Sequence, residues 1–387
     1  MIITVAMDSF KGSLTSLEAG NAVRDGILSA SSEHEVTVLP LADGGEGTLE
    51  ALVEGLNGIY RTLDVTGPDG KQVTAKYGIV HGDTAIIEMA QASGLTLVKE
   101  NDILTATTYG TGELIRAALD EGVRKFIIGI GGSATNDGGT GMLEALGARF
   151  IHGDSVDAPG APEAGSLSGA KETRGALTLR TLTSIDISDL DSRIKESSFK
   201  VACDVRNPLL GENGCSFIYG PQKGASEEQI REMDTWMRSY AERTRKILPE
   251  ADPDFPGSGA AGGMGFALKY YLGSELVSGS KLVLEVNRLE EYIRKSDILV
   301  TGEGRIDGQS LYGKGPVEAA RIAKKYEKEA IAIAGSEGSD AMLLLEVFDS
   351  YHILPEVENC MQKEVAYDNL KETARECFLK RRREHGF

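Results

Sequence analysis

The 387-residue chain lacks the patterns that identify several large classes of protein. No run of apolar residues approaches the roughly 18 that a membrane span requires. With 41 basic and 59 acidic residues the net charge is −18, which argues against nucleic acid as a partner. The four cysteines form no CxxC pair, so neither a zinc site nor a thioredoxin-like motif is indicated, and reduced thiols are expected.

Motifs of common enzyme classes are missing as well. The Walker A sequence GxxxxGK[ST] is absent, and so are the HRD and DFG motifs of protein kinases. The five histidines are scattered, and none lies beside a serine or cysteine nucleophile motif, so histidine-based nucleophilic catalysis is not expected. The first apolar run ends at Met7 and has no basic leader, so a secretory signal is not indicated and a cytoplasmic location is expected.

Polar residues follow three short apolar segments that resemble buried strands. Residues 2–7 are followed by Asp8-Ser-Phe-Lys-Gly-Ser13, residues 36–41 by Asp43-Gly-Gly-Glu-Gly47, and residues 298–300 by Gly302-Glu-Gly-Arg-Ile-Asp307. Ligands of open α/β sheets bind beyond the carboxyl ends of the strands. Carboxylates with glycines and a nearby cation at these ends favour metal-bound phosphate chemistry.

The order of the predicted elements indicates an inserted domain. The chain begins with a βαβα pattern, which implies parallel strands with right-handed crossovers. From about residue 63 short β-rich segments with turn signals predict hairpins and a mixed sheet. The βαβ pattern returns near residue 298. We therefore predict an α/β fold in which residues 1–62 and 289–387 form a doubly wound parallel-sheet domain, and residues 63–288 form a second, inserted α/β domain.

Two glycine-rich segments are candidate ligand loops. The first, residues 129–139, imitates a dinucleotide fingerprint only weakly, and we expect a cradle of backbone N–H groups for a phosphate or carboxylate. Ser133, Thr135 and Asn136 would add side-chain donors; a tight turn that only packing requires is the alternative. The second segment, residues 257–265, either closes over nucleotide phosphates or forms a close-packed entry to a helix.

Two charged clusters complete the candidate chemistry. Asp204, Arg206 and Asn207 follow a predicted strand, where the guanidinium could grip a carboxylate with two parallel bonds, or where acid and base could form a surface ion pair. After the strand near residue 298, a loop carries several charges, and a solvated loop is the alternative explanation for them. Its charged residues are Glu303, Arg305, Asp307 and Lys314.

In their order along the chain these motifs resemble the type I glycerate kinase family. The matching segments are Asp8-Ser-Phe-Lys-Gly-Ser13, Pro40-Leu-Ala-Asp-Gly-Gly-Glu-Gly-Thr48, residues 129–139, Cys203-Asp-Val-Arg-Asn-Pro-Leu-Leu-Gly211, Gly220-Pro-Gln-Lys-Gly-Ala225 and Thr301-Gly-Glu-Gly-Arg-Ile-Asp307. The resemblance implies a flavodoxin-like domain with an inserted one, and an active site in the cleft between them. It also implies ATP-dependent phosphorylation of D-glycerate, usually to the 2-phosphate, with Mg²⁺. Small departures at Ser258 and at Cys215-Ser216 leave the charged motifs intact.

The resemblance and the motifs together give expected residue roles. D-glycerate and ATP are the expected partners, without nucleic acid or membrane, and dimerisation is left open. The rival hypotheses are a metal-dependent phosphatase or other phosphoryl-transfer enzyme that acts on another small hydroxy acid, and a non-catalytic ligand sensor. The expected catalytic residues are Asp8, Lys11, Asp43 and Asp204; the substrate-binding residues are Ser9, Arg206, Asn207, Asn136 and Asp137; the nucleotide-binding residues are Gly44, Gly45, Gly131, Gly132, Ser133, Thr135, Gly262, Gly263 and Lys314; and the metal ligands are Glu303 and Asp307.

Overall fold

The computed structural model describes residues 1–42, 44–45, 47–153, 174–311 and 313–385. By its internal contacts the chain divides into two compact units. The first unit comprises Met1–Gly58 and Ser278–Phe387, and the second comprises Ile59–Val277. None of the helices in the described ranges is both long enough and apolar enough to cross a lipid bilayer.

Strands and helices alternate over much of the chain. The strands are β1 (Ile2–Met7), β2 (Glu35–Val38), β3 (Ile59–Thr66), β4 (Gln72–Val80), β5 (Thr84–Glu88), β6 (Lys125–Gly129), β7 (Arg149–His152), β8 (Leu182–Asp186), β9 (Ser198–Ala202), β10 (Glu275–Val277), β11 (Ile298–Gly302), β12 (Arg305–Ile306), β13 (Glu329–Ala334), β14 (Ser336–Glu337) and β15 (Ser350–Ile353). The helices are α1 (Ser16–Ala30), α2 (Thr48–Gly55), α3 (Ala90–Ser93), α4 (Tyr109–Asp120), α5 (Thr140–Ala145), α6 (Leu177–Arg180), α7 (Cys215–Tyr219), α8 (Glu227–Ile247), α9 (Ala260–Tyr271), α10 (Gly279–Val286), α11 (Leu289–Lys295), α12 (Gly315–Lys325) and α13 (Lys363–His385).

The first unit is built on a parallel sheet of five strands in the order β15-β13-β11-β1-β2. Numbered by their sequence within this sheet, the strands lie in the order 2-1-3-4-5, which is the flavodoxin-like arrangement. In that arrangement the ligand position lies at the carboxyl ends of the first and third strands, here β1 and β11. Met7, the last residue of β1, pairs with Gly302, the last residue of β11.

Helices cover both faces of this sheet. Side chains of β1 alternate between two cores: Ile3, Val5 and Met7 face α1 and α13, whereas Ala6 faces α11 and α12. Such burial on both faces explains why β1 is an almost continuous apolar run. The helix α1 begins at Ser16, directly after Thr15, because Thr15 and Glu18 form a reciprocal capping box.

The second unit contains a mixed sheet in the order β10-β9-β6-β5-β4-β3. The strands β3, β4 and β5 are antiparallel, and β5, β6, β9 and β10 are parallel. The ring of Tyr240 on α8 packs edge-on against Phe266 on α9, with 5.7 Å between centroids. This mixed sheet, together with the parallel sheet of the first unit, confirms the predicted α/β fold class.

Candidate functional site

In the first unit, the loops that follow β1 and β11 lie against each other. The backbone N–H of Asp8 donates to the carbonyl of Gly302 at 2.8 Å. A Cβ built on Gly304 would lie 3.4 Å from Cα of Phe10, and one built on Gly302 would overlap the carbonyl oxygen of Ile333. The two glycines therefore allow three backbone segments to approach at the carboxyl edge of the sheet.

Asp8 and Lys11 lie in the loop that directly follows β1, the strand whose carboxyl end marks the predicted ligand position. Asp8 is partly buried, and its Oδ1 accepts a bond from the backbone N–H of Ser9 at 2.7 Å. Lys11 lies at the tip of a turn that Phe10 and Leu14 close with two backbone bonds. The side chain of Lys11 is exposed, and no ion pair to another described residue holds it. It is therefore available to an anion.

The acidic glycine loop after β2 is described only in part. Asp43, an expected catalytic residue, lies outside the described residues. Its neighbour Gly44 has φ +83°, and the carbonyl of Gly45 accepts a bond from Thr48 N at 3.2 Å at the start of α2. The N–H of Leu41 donates to the carbonyl of Met7 at 2.9 Å, so this loop begins beside the end of β1.

Glu303 is buried, and the protein already occupies both of its oxygens. Its Oε1 accepts from the hydroxyl of Ser310 at 2.9 Å, and its Oε2 accepts from Nζ of Lys314 at 2.8 Å. The expected nucleotide-binding lysine is therefore the countercharge of the expected metal ligand. Oδ2 of Asp307 lies 3.9 Å from Nε of Arg305. In the described ranges no three His, Cys, Asp or Glu side chains form a group that could hold a metal ion.

In the second unit, the loop after β6 has an exposed outer edge and a buried inner part. Gly131 and Gly132 are exposed, whereas the residues from Ser133 to Asp137 are buried. The carboxylate of Asp137 accepts bonds from the backbone and hydroxyl of Thr108 and from the backbone of Gly139. Burial raises the pKa of Asp137, although these bonds oppose the shift. Through these hydrogen bonds, Asp137 stabilises the conformation of the loop.

Asn136 and Thr135 are also inside the unit. The amide of Asn136 donates to the hydroxyl of Ser216 at 2.9 Å, and its carbonyl oxygen has no partner among the described residues. The hydroxyl of Thr135 likewise finds no partner there. Buried polar atoms without partners are uncommon in native proteins, so this part of the loop has unused hydrogen-bonding capacity.

Lys223, which is not among the residues expected from the sequence, completes this inner cluster. The residue is only 3% exposed, and its Nζ donates to the hydroxyl of Ser133 at 2.9 Å and to the carbonyl of Thr135 at 2.7 Å. Burial lowers the pKa of Lys223 to about 8. The amide of Asn101 joins the two segments by donating to the carbonyls of Ala134 and Lys223, each at 2.9 Å. Only the family resemblance points to the segment 220–225, because nothing local marks its lysine as buried.

The second glycine-rich segment is closely packed and includes an interruption in the first turn of α9. Ala261, Gly262 and Gly263 all have left-handed backbone angles. A Cβ on Gly262 would overlap the carbonyl oxygen of Thr135, and one on Gly263 would lie 2.8 Å from Cα of Gly138. Of the two interpretations left open by the sequence, the geometry favours packing, with this segment supporting the 129–139 loop from behind.

In the cluster after β9, Asn207 is held by hydrogen bonds within the unit, whereas Asp204 and Arg206 are exposed. The side chain of Asn207 donates to the carbonyl of Asn213 at 2.9 Å and accepts from the hydroxyl of Tyr219 at 2.7 Å. Asp204 and Arg206 are exposed. No ion pair to a described residue engages Arg206, so its guanidinium is available to a carboxylate or phosphate.

Comparisons with known proteins agree along the whole chain. A model of the glycerate kinase family matches residues 3–380. The glycerate 2-kinase of Escherichia coli (strain K12) is 48% identical over 343 residues, covering 88% of this chain and 86% of that protein. The glycerate kinase of Halalkalibacterium halodurans is 42% identical over 379 residues, covering 96% of each. A crystal structure of a protein assigned as glycerate kinase 2 from Salmonella typhimurium LT2 has a TM-score of 0.89 and 42% identity, and covers 100% of both chains.

Proposed function

This chain belongs to the glycerate kinase family, and we propose that it transfers the γ-phosphoryl group of ATP to D-glycerate and releases 2-phosphoglycerate. The family match over residues 3–380 carries the proposal. The position of Asp8 and Lys11 supports it, because both follow β1 at the edge where flavodoxin-like sheets bind ligands.

Phosphoryl transfer requires positioning of the two substrates and neutralisation of charge on the transferred group. In the first unit, the partly buried carboxylate of Asp8 would orient the attacking hydroxyl of glycerate and accept its proton. The exposed ammonium of Lys11 would bind anionic oxygens. Asp43 keeps its proposed part as an alternative base. Gly44 and Gly45 would present backbone donors at the start of α2.

In the second unit, the exposed edge of the 129–139 loop would bind an oxyanion through the backbone of Gly131 and Gly132 and the hydroxyl of Ser133. The guanidinium of Arg206 would hold a carboxylate or phosphate with two parallel bonds. Asp204, exposed beside it, remains a proposed catalytic carboxylate. Asn136 and Asp137 are buried, so they would contribute indirectly, by stabilising the loop conformation that presents Gly131, Gly132 and Ser133.

Mg²⁺ is proposed as the ion that accompanies ATP, since protein sites usually hold it by one or two carboxylates together with substrate phosphates. Glu303 fits a ligand role poorly, because Ser310 and Lys314 engage its two oxygens. Asp307 remains a proposed ligand, because its carboxylate belongs to the same loop after β11. When bound, the ion would neutralise negative charge on the phosphate oxygens.

The test is product identification with the purified chain. Incubation with D-glycerate, ATP and MgCl₂, followed by ³¹P NMR, should give ADP and a phosphomonoester whose coupling to the C2 proton identifies 2-phosphoglycerate. Coupling to the C3 protons would instead identify the 3-phosphate and correct the regiochemistry. Failure to consume ATP with glycerate, alongside turnover with glycolate or lactate, would contradict the proposed substrate.

A further inference from the structure

The buried ammonium of Lys223 has one N–H donor for which the described residues provide no hydrogen-bond acceptor. An ammonium group has three N–H donors. Within the described residues, Nζ donates to Ser133 Oγ and to the carbonyl of Thr135, and no carboxylate forms an ion pair with it. A buried charge without a countercharge is costly to the fold. The burial of this lysine therefore indicates that a bound anion provides its countercharge when the protein functions.

Among the described residues, the titratable groups that face Lys223 form no ion pair with it. Two titratable groups interact with it, the thiol of Cys215 on α7 and the carboxyl of Asp137 in the loop. Burial raises the pKa of Cys215 to about 11, so the thiol is neutral near pH 7. The carboxyl of Asp137 acts on Lys223 through space, which raises the pKa of the lysine, but its oxygens accept bonds from Thr108 and Gly139, and burial raises its own pKa. Asp234, which interacts with Cys215, accepts bonds from Gly211 N and Arg238.

Ser133 connects the buried lysine to the surface of the loop. Its hydroxyl oxygen accepts the bond from Nζ, so the hydroxyl hydrogen remains able to donate to a ligand. Ser133 is 8% exposed, and the two residues before it, Gly131 and Gly132, are exposed. An oxyanion at this edge would accept hydrogen bonds from the Ser133 hydroxyl and from peptide groups. The positively charged ammonium of Lys223 lies on the inner side of Ser133.

We propose that Lys223 is the buried countercharge for an oxyanion bound at the exposed edge formed by Gly131 and Gly132, with the hydroxyl of the buried Ser133 between the two charges. The inference rests on the proposed function in one respect: the oxyanion is either a phosphate group of the nucleotide or the carboxylate of glycerate. Binding of either stabilises the ammonium form of Lys223. The pKa of about 8 that burial gives Lys223 makes this coupling measurable, because the unliganded side chain loses its proton within an accessible pH range.

Isothermal titration calorimetry in two buffers of different ionisation enthalpy tests the coupling. The probes are ADP without added divalent ion and, separately, D-glycerate. At pH 8 we expect the oxyanion to bind with uptake of about half a proton, and its Kd to rise about tenfold between pH 7 and 9, given a pKa of about 8. Uptake with ADP alone assigns the edge to phosphate, and uptake with glycerate alone assigns it to carboxylate. Absence of uptake with both probes overturns the inference.

Lys223→Arg is the matched control, because a guanidinium stays protonated over this pH range. Its binding should show no proton uptake and little pH dependence. Uptake equal to that of the unmodified chain would assign the proton to another group and overturn the inference. Ser133→Ala should weaken binding while the uptake persists. None of these measurements uses turnover, so an inactive chain that still takes up the proton would contradict the proposed function alone.

Discussion

The ammonium of Lys314, at the start of α12, lies 2.8 Å from Oε2 of Glu303, which follows β11. The side chain of Glu303 is 10% exposed and that of Lys314 is 43% exposed. The pair therefore fastens the loop after β11 to the helix α12, with the carboxylate inside and the ammonium at the surface. Because the Lys314 side chain is partly solvated, we expect the interaction free energy of this ion pair to lie between that of a buried pair and that of a surface pair.

A double-mutant cycle measures this link. Glu303→Gln, Lys314→Met and the double variant should give a coupling free energy of about 1 kcal/mol in urea unfolding, reduced from the buried-pair value by solvent at Lys314. The exposed pair Lys325–Glu290 is the control and should show weaker coupling. If Lys314→Met alone abolished ADP binding while the cycle showed no coupling, Lys314 would act on the nucleotide and not through Glu303.

Local signals account for the parts of the fold that the sequence predicts well. The capping box of Thr15 and Glu18 fixes the start of α1, and the apolar run of residues 2–7 is long enough to identify a strand buried on both faces. The positions of Asp8 and Lys11 follow from that strand, because a residue directly after a parallel strand lies at its carboxyl edge.

The surroundings of the second unit's loop depend on long-range contacts. Asn136 meets Ser216, 80 positions away, and Lys223 meets Ser133 across 90 positions. Neither partner can be identified from residue spacing. A polar residue beside glycines has the sequence pattern of a ligand-binding residue whether its side chain faces solvent or the interior. The sequence therefore identifies the loop as a candidate site but does not show which of its residues are exposed and which are buried.

Lys11 offers a test of the site in the first unit. Its side chain is exposed and unpaired among the described residues, so Lys11→Ala should leave the urea midpoint nearly unchanged. If Lys11 neutralises charge in the transition state, kcat/KM for glycerate should fall roughly 100-fold. Lys295→Ala, which removes another exposed lysine of the same unit, is the control and should retain full activity. Equal activity of the two variants would exclude Lys11 from the site.

Gly262 and Gly273 form a natural comparison for the packing of the second glycine-rich segment. Both have φ +68°, so alanine meets the same backbone strain of roughly 1 kcal/mol at each. A Cβ on Gly273 meets nothing within 4 Å, whereas one on Gly262 would overlap Thr135 O and lie 2.6 Å from Cα of Asn136. Gly262→Ala should therefore lose roughly 2 kcal/mol more stability than Gly273→Ala, by urea unfolding. Equal losses would show that the segment yields readily and that close packing does not explain its glycines.

Lys223 also predicts a pH dependence of stability in the absence of any ligand. Its pKa in the folded chain is about 8, against 10.5 for the free side chain, so between these values the unfolded chain carries the extra proton. Stability rises with pH wherever the unfolded state binds more protons. The cost of burying the ammonium is thus fully present below pH 8 and disappears as the pH approaches 10.5.

Lys223→Met isolates this contribution, because the other groups that titrate in this range are common to both proteins. The unfolding free energy of the unmodified chain, relative to that of the variant, should rise by on the order of 3 kcal/mol between pH 7.5 and 10.5. Urea midpoints at half-unit steps of pH provide the measurement. A difference that stays constant with pH would mean that Lys223 keeps an ordinary pKa, which requires a countercharge already inside the protein and leaves no place for an anionic ligand to supply it.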